Sequence, residues 1–252
     1  MADPVDRLAR SFGFRNVDPA AKASLVRDVF DSVAPSYDLM NDLMSLGVHR
    51  LWKDALVDWL APRPGLHHVD LAGGTGDVAF RIHERVGGEA RIAVIDINRH
   101  MLQVGRDRAF DQNRFENLYW VAGDAMALPL PDRSQDSVTI AFGIRNVTRI
   151  DQALAEALRV LRPGGRFLCL EFSKVTLPTL ERIYDTYSFN VLPRLGRLVA
   201  GDAESYRYLA ESIRRFPNQD DFKALMERSG FGQVRYRNLS SGIACIHSGW
   251  RL

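Results

Sequence analysis

The sequence predicts an α/β fold, a doubly wound, mostly parallel, seven-stranded sheet with a terminal antiparallel hairpin, an N-terminal helical segment and a helical insertion before the last helix. Three observations carry that expectation. From residue 67 onward, short apolar runs alternate with amphipathic stretches of helical period, the order of strands joined by crossover helices. A glycine-rich stretch, LAGGTGD (71–77), falls where the first strand gives way to the first helix. The last two apolar runs are separated only by a few residues around Ser240 to Gly242, too few for a parallel crossover, so they form a hairpin.

Taken in order, residues 1–20 have few apolar residues at any regular spacing and read as an arm. Between Ala21 and Leu60, Leu25, Val29, Phe30 and Val33, then Leu51, Trp52, Ala55, Leu56, Trp59 and Leu60, recur at helical spacing, with Pro35 breaking the pattern. Residues 1–60 are therefore expected to be an arm and helical lid, closed by Pro62, Pro64 and Gly65, ahead of a main domain at 61–252. Strands are expected at 67–72, 91–97, 118–123, 137–143, 166–172, 232–239 and 242–248, and helices at 76–86, 99–109, 150–161 and 219–229. Right-handed crossovers then make a mostly parallel, doubly wound sheet the economical topology. Residues 174–216 far exceed an ordinary connection and carry helical periodicity of their own in LERIYDTYSF and ESYRYLAESIRRF.

Composition narrows the function. A chain of 252 residues, 46% hydrophobic and 25% charged, is long enough for one well-filled soluble domain. No apolar run spans a bilayer and the opening MADPVDRLAR lacks the apolar core of a secretory signal, so a cytoplasmic location is expected. With 33 Lys plus Arg against 31 Asp plus Glu there is no nucleic-acid footprint, although local basic clusters can meet an anionic membrane face. Cys169 and Cys245 lie in apolar strand-like runs and read as core packing. His67 and His68 open a strand while His83, His100 and His247 are isolated, and no His/Cys/Asp/Glu cluster has metal-ligand spacing.

The glycine loop implies a nucleoside cofactor. Gly73, Gly74 and Gly76 allow a tight turn and close backbone approach, although Gly74, Gly76 and Ala79 also satisfy the G-x-G-x-x-A dinucleotide pattern. Asp70 precedes the loop and Asp77 opens the helix; such carboxylates suit the sulfonium and ammonium of S-adenosylmethionine better than a pyrophosphate, unless Asp77 is simply a favourable helix-start acid. Asp96 ends the second strand at the place where a carboxylate accepts ribose hydroxyls. Asp124 and Ala125 follow the third strand, where a carboxylate and a backbone N–H can read adenine; alone, Asp124 would pass for a turn residue.

These residues resemble a known family. LAGGTGD, YDLMNDLMSLGVHRLW (37–52) and RVLRPGGRFLCLEFS (159–173) are similar to motifs of the ubiquinone/menaquinone biosynthesis C-methyltransferases of UbiE type. FGF (12–14), FGIRNV (142–147), YSFNVLPRLG (187–196) and DAESYRYLAESI (202–213) fit the same pattern in order and spacing. The resemblance implies a Rossmann-like class I S-adenosylmethionine-dependent methyltransferase acting on a ring carbon of a polyprenylated quinol, 2-polyprenyl-6-methoxy-1,4-benzoquinol, demethylmenaquinol or both. Carried over by position, Thr75 contacts the cofactor, Asp96 the ribose, and Asp124 with Ala125 the adenine. The chain departs from some members at Ala141, where they have Ser, and at Asp124, where they have Asn.

Carbon methylation from a sulfonium is an in-line displacement, so the protein must align the ring carbon, support negative charge on a ring oxygen and exclude water. Arg145, at the end of the fourth strand, is the candidate for that charge, unless it pairs with a loop carboxylate such as Asp151; Asn146 is a weaker candidate. Tyr37, Asn41, His49 and Trp52 are positioned to line a lid, whereas Met40, Leu43, Met44 and Trp52 also suit plain packing. In the insertion, YSFNVLPRLGRLVAG mixes apolar side chains with Arg194 and Arg197, which suits either an isoprenoid groove with transient membrane-surface contact or a packed subdomain. Two further functional classes stay open: an NAD-dependent oxidoreductase using GTGDVA, and a non-catalytic scaffold of a quinone-synthesis complex. A homodimer or such a complex are the protein partners to consider.

Overall fold

The computed structural model describes residues 4–33, 41–42, 45, 47–191 and 203–252. The expectations placed on Tyr37, Met40, Leu43, Met44, Arg194 and Arg197 lie outside the described residues. Residues 4–20 do not form a plain arm. Helix α1 (Pro4–Ala9) buries Val5, Leu8 and Ala9, and a two-residue hairpin, β1 (Ser11–Phe12) with β2 (Arg15–Asn16), stacks Phe12 on Tyr208 with ring centroids 4.2 Å apart. These elements are too short to produce a recognisable period. Helices α2 (Pro19–Val33) and α3 (His49–Leu60) follow; α3 buries the stripe Trp52, Leu56 and Leu60 and stops at Ala61, whose φ of 51° is left-handed, before Pro62.

The Rossmann-like core then runs β3 (His67–Leu71), α4 (Asp77–Arg85), β4 (Arg91–Asp96), α5 (Arg99–Asp111), β5 (Leu118–Ala122), β6 (Gln135–Ala141), α6 (Ile150–Val160) and β7 (Leu161–Phe172). Past an insertion containing α7 (Pro178–Thr186), a π-helical stretch (Tyr187–Val191) and α8 (Ala203–Arg215), the chain closes with α9 (Gln219–Arg228), β8 (Gly232–Leu239) and β9 (Ala244–Trp250). The seven strands lie in the order β5-β4-β3-β6-β7-β9-β8. Pairs are parallel as far as β7; β9 is antiparallel to both β7 and β8.

Three expected strands move for local reasons. β6 runs 135–141 rather than 137–143, because Phe142 takes a left-handed φ of 58° ahead of the turn that follows. β7 begins at Leu161 rather than 166, because Leu161 already pairs with Gln135 before a register shift lets Arg166 pair with Ser137. β9 begins at 244 rather than 242, since Ser240–Gly242 forms a 3₁₀ turn in which Ser241 has φ 55° and Gly242 φ 90°. Each sheet face is covered. One meets α3, α4, α5 and α8 through residues such as Leu56, Phe80, Leu102 and Leu209; the other meets α1, α6 and α9 through Leu8, Leu154 and Phe222. Cys169 and Cys245 are free and buried.

Candidate active site

In this order the chain turns one way from β3 through β4 to β5 and the other way from β6 to β7, so the sheet has its switch point between β3 and β6. A cleft of roughly 900 Å³, solvent at its mouth included, opens there at the carboxyl ends of β3, β4, β5 and β6. Its floor includes Gly74, Asp96, Asp124 and Ala125, and its inner wall Phe142, Gly143 and Asn146. The outer wall comes from α2, through Ala23, Val26, Arg27 and Phe30. Sequence reasoning found the helical period of this segment but sought the lid further along. Trp52 is core instead, 5.9 Å from Phe172 and 6.3 Å from Phe142 between ring centroids, with Nε1 donating to Ser240 Oγ. His49 is buried with Nε2 2.9 Å from Asp42 Oδ1, and Asn41 is buried as well; none of the three lines the cleft.

The glycine loop is built from below. Gly74 and Gly76 take φ of 54° and 78°, and a Cβ on Gly76 would stand 2.5 Å from the Trp120 ring, so the bend into α4 demands glycine. Asp70 does not reach the cleft. It is buried, its Oδ2 accepting from Ala79 N at 3.1 Å and its Oδ1 from Thr139 Oγ1 at 3.3 Å, and burial pushes its carboxyl up to about 7. Thr75 is buried too. Asp70, Thr75 and Gly76 therefore shape the loop, while Gly74, Asp96, Asp124 and Ala125 face the cleft.

Asp77 already has its cation. Lys53 of α3 places Nζ 2.6 Å from Asp77 Oδ2 and Arg81 Nε lies 3.3 Å away; burial raises the Asp77 carboxyl, but these cations outweigh it and hold the group below the usual carboxylate range. The charge at the helix start is thus neutralised by the protein, and the electrostatic argument for a sulfonium beside Asp77 falls away. Asp96, unlike Asp77, meets the cleft. Its Oδ2 accepts from Gly74 N at 2.9 Å and its Oδ1 from Asn98 N at 2.8 Å, and burial raises it to about 6. A cleft-facing carboxylate held by two backbone N–H groups at the end of β4 has the chemistry for a pair of ribose hydroxyls. Asp124 Oδ1 caps its own turn by accepting from Met126 N at 2.9 Å, leaving Oδ2 for an amino group and Ala125 beside it on the cleft surface. These groups have the chemistry to hold an adenosyl group.

Arg145 lies where the strand-end rule puts it, in a 3₁₀ turn (Ile144–Asn146) after β6, but its guanidinium does not line the cleft. Its side chain is 3% exposed; Nη1 donates to Glu171 Oε1 at 2.7 Å and to Phe142 O at 2.6 Å. The carboxylate partner is a strand residue of β7, not Asp151, which pairs with Arg149. Asn146, one residue on, is the polar side chain that meets the cleft from this turn, with Tyr208 Oη donating to its Oδ1 at 2.9 Å. No cluster able to hold a metal ion occurs among the described residues.

Comparison with known proteins agrees with this geometry. A profile of the ubiE/COQ5 methyltransferase family matches residues 18–251. The chain is 58% identical to a ubiquinone/menaquinone biosynthesis C-methyltransferase UbiE of Brucella abortus (strain S19) over 97% of its own length and 92% of that protein's. A Brucella anthropi protein of the same name is 57% identical over 97% and 94%. Among solved structures, a Thermotoga maritima S-adenosylmethionine-dependent methyltransferase described as a possible histamine N-methyltransferase superposes with a TM-score of 0.63 at 19% identity, covering 89% of this chain and 99% of that one. Haemonchus contortus phosphoethanolamine N-methyltransferase 2, in complex with S-adenosyl-L-methionine, gives 0.57 at 13% identity over 79% and 52%. These two show the fold alone. By the extent of the family match and the identity to its curated relatives, the chain belongs to the ubiE/COQ5 methyltransferase family and is an S-adenosylmethionine-dependent C-methyltransferase of class I fold.

Proposed function

We propose that the acceptor is the reduced ring of a polyprenylated benzoquinol or naphthoquinol, methylated at carbon, as the names of the curated relatives suggest. The observation that carries the reading is the cleft itself: adenosine-reading groups on its floor, Asp96 and Asp124, and an apolar wall from α2 that brings Val26 and Phe30 alongside. Bound on that floor, S-adenosylmethionine supplies a methyl group on a sulfonium. The protein's own contribution is arrangement. Asp96 fixes the ribose, Asp124 and Ala125 the adenine, and the Gly74 backbone lies close beneath. Asp70, Thr75 and Gly76 hold that loop in shape. Phe30 and Val26 exclude water from the reacting ring.

A quinol carbon becomes nucleophilic as its hydroxyl gives up a proton to solvent at the cleft mouth and negative charge builds on the oxygen, so a donor must face that oxygen. Asn146 is the inner-wall side chain with an N–H to give, facing Arg27 of the outer wall across the cleft. Arg145 acts from behind it: the guanidinium, paired with Glu171, is bonded to Phe142 O, 3.5 Å from Asn146 Nδ2, and so anchors the carbonyl that faces that amide. The helical lid role passes to α2. For the polyprenyl tail, an aromatic and basic cluster beside the hairpin suits a membrane face: Phe14 is half exposed, 6.1 Å from Phe189, with the Arg215 guanidinium 5.5 Å from its ring centroid. No helix among the described residues is long and apolar enough to cross a membrane, so this contact would be peripheral.

The test supplies chemically reduced demethylated benzoquinol and naphthoquinol with methyl-labelled cofactor, once dispersed in detergent and once in anionic vesicles. Label is expected on a ring carbon, and Phe14→Ala with Arg215→Ala should lower the vesicle rate severalfold while sparing the detergent rate. No label on either quinol refutes the substrate; equal rates in vesicles remove the cluster from membrane contact.

A further inference from the structure

Three consecutive residues, Arg145 behind the cleft wall and Asn146 and Val147 on it, are each gripped from a different element. Glu171 of β7 takes Arg145, Tyr208 of α8 takes Asn146 at 2.9 Å, and Lys22 of α2, 2% exposed, reaches Val147 O at 3.4 Å and Leu8 O at 2.9 Å. Only the middle grip acts on a side chain that meets the cleft, so it bears on chemistry. A carboxamide can sit either way round, and its two ends differ in kind: one accepts, the other donates. Here the ends are distinguished. The nitrogen side lies 3.5 Å from Phe142 O, a pure acceptor, and the oxygen side receives the tyrosine hydroxyl. The second Nδ2 hydrogen is left for the cleft.

The hydroxyl is well placed to enforce this. Tyr208 is 5% exposed, its ring stacked on Phe12 at 4.2 Å, and burial raises its phenol above the usual range, so it stays a neutral donor. Without that donor, only the long 3.5 Å contact from Nδ2 to Phe142 O holds the amide, and a rotated amide would turn a lone pair towards a developing ring oxygenate and repel it.

We propose that Tyr208, contributed by the insertion, is a positioning residue for methyl transfer: its hydroxyl fixes the Asn146 carboxamide with Nδ2 towards the ring oxygen. This rests on the quinol reading above, and it gives the insertion a part in the reaction distinct from holding a lipid tail.

Tyr208→Phe keeps the ring, its stack and its burial and deletes only the hydroxyl. The expected result is a kcat lower by about 10- to 100-fold with the cofactor Kd and the quinol KM within about twofold of wild type. In an Asn146→Ala background the same change should cost less than about twofold more, because the group being positioned has gone. A structural role would instead multiply through both backgrounds. The Asn146 side-chain amide signals in the cofactor-bound protein, followed by NMR, supply a readout free of substrate: protons protected from solvent exchange in wild type, shifted and exchanging faster with solvent in Tyr208→Phe. Unchanged kcat, multiplicative losses or unchanged amide signals overturn the proposal. Failure of the wild type to label any quinol refutes the substrate reading alone, and the amide signals still decide the role of Tyr208.

Discussion

Glu171 changes how Arg145 must be tested. Both side chains are buried, 2.7 Å apart, and Glu171 Oε1 also accepts from Phe172 N at 2.9 Å. Removing the guanidinium alone leaves a carboxylate in the core without its counter-charge, a change that costs about 3–5 kcal/mol. Arg145→Ala is therefore expected to lose stability heavily, and its inactivity would say nothing of chemistry. Arg145→Ala with Glu171→Gln removes charge from both partners. That double variant should recover most of the lost melting temperature while kcat stays at least about tenfold down, because the Phe142 carbonyl facing Asn146 has lost its anchor. Thermal denaturation and turnover measured on the same preparations check it. Turnover that returns with stability assigns Arg145 to architecture only.

Among the elements, the insertion is not separable from the fold. Tyr206, Leu209 and Ile213 of α8 lie in the same core cluster as Leu56, Leu168 and Ile246. Excising residues 174–216 should therefore yield insoluble protein, and Leu209→Ala should cost about 2–5 kcal/mol in denaturant unfolding while leaving the folded enzyme able to bind its cofactor; a loss below about 1 kcal/mol would place α8 outside the core. The tail-recognition test belongs to narrower changes at Phe14 and Phe189. The sequence order of strands and helices was legible because each obeys its own period, and Gly74, Asp96, Asp124 and Ala125 were legible because strand ends in a doubly wound sheet face the cleft. What stayed hidden is pairing at a distance. Lys53 neutralising Asp77, Glu171 holding Arg145 and Tyr208 holding Asn146 span 24, 26 and 62 positions, and no local period encodes them. The strand-end rule also missed by one residue at β6, since the 3₁₀ turn there advances Asn146 to the cleft and tucks Arg145 behind it.

Over the whole molecule, buried titratable groups of opposite kind set the response to pH. His68 and His247 are enclosed, and burial brings each imidazole from 6.5 down to about 4. The unfolded chain takes up these protons first, so their contribution to stability is full above pH 6.5 and is lost as the pH falls towards 4. Asp70 and Asp96 work in the reverse sense: burial raises them from 3.8 to about 7 and about 6, the folded protein takes up their protons first, and stability grows as the pH falls through the same window. With His49 also lowered and Glu171 also raised by burial, three groups stand on each side, and the melting temperature of the cofactor-free protein should change little between about pH 4.5 and 6.5. Cofactor breaks that balance through Asp96 alone, because ribose hydroxyls donate to its ionised form. Binding must then expel the proton, and affinity should fall by up to about tenfold per pH unit below about 6. The rise in melting temperature given by a fixed excess of S-adenosylmethionine should accordingly shrink from pH 7 to pH 5 while the cofactor-free curve stays level, and scanning fluorimetry across that range reads both. Asp96→Asn should abolish most of the increment and all of its pH dependence. A wild-type increment that holds constant from pH 7 to pH 5 takes Asp96 out of the ribose contact, and with it the main reason for placing the adenosyl group on this floor.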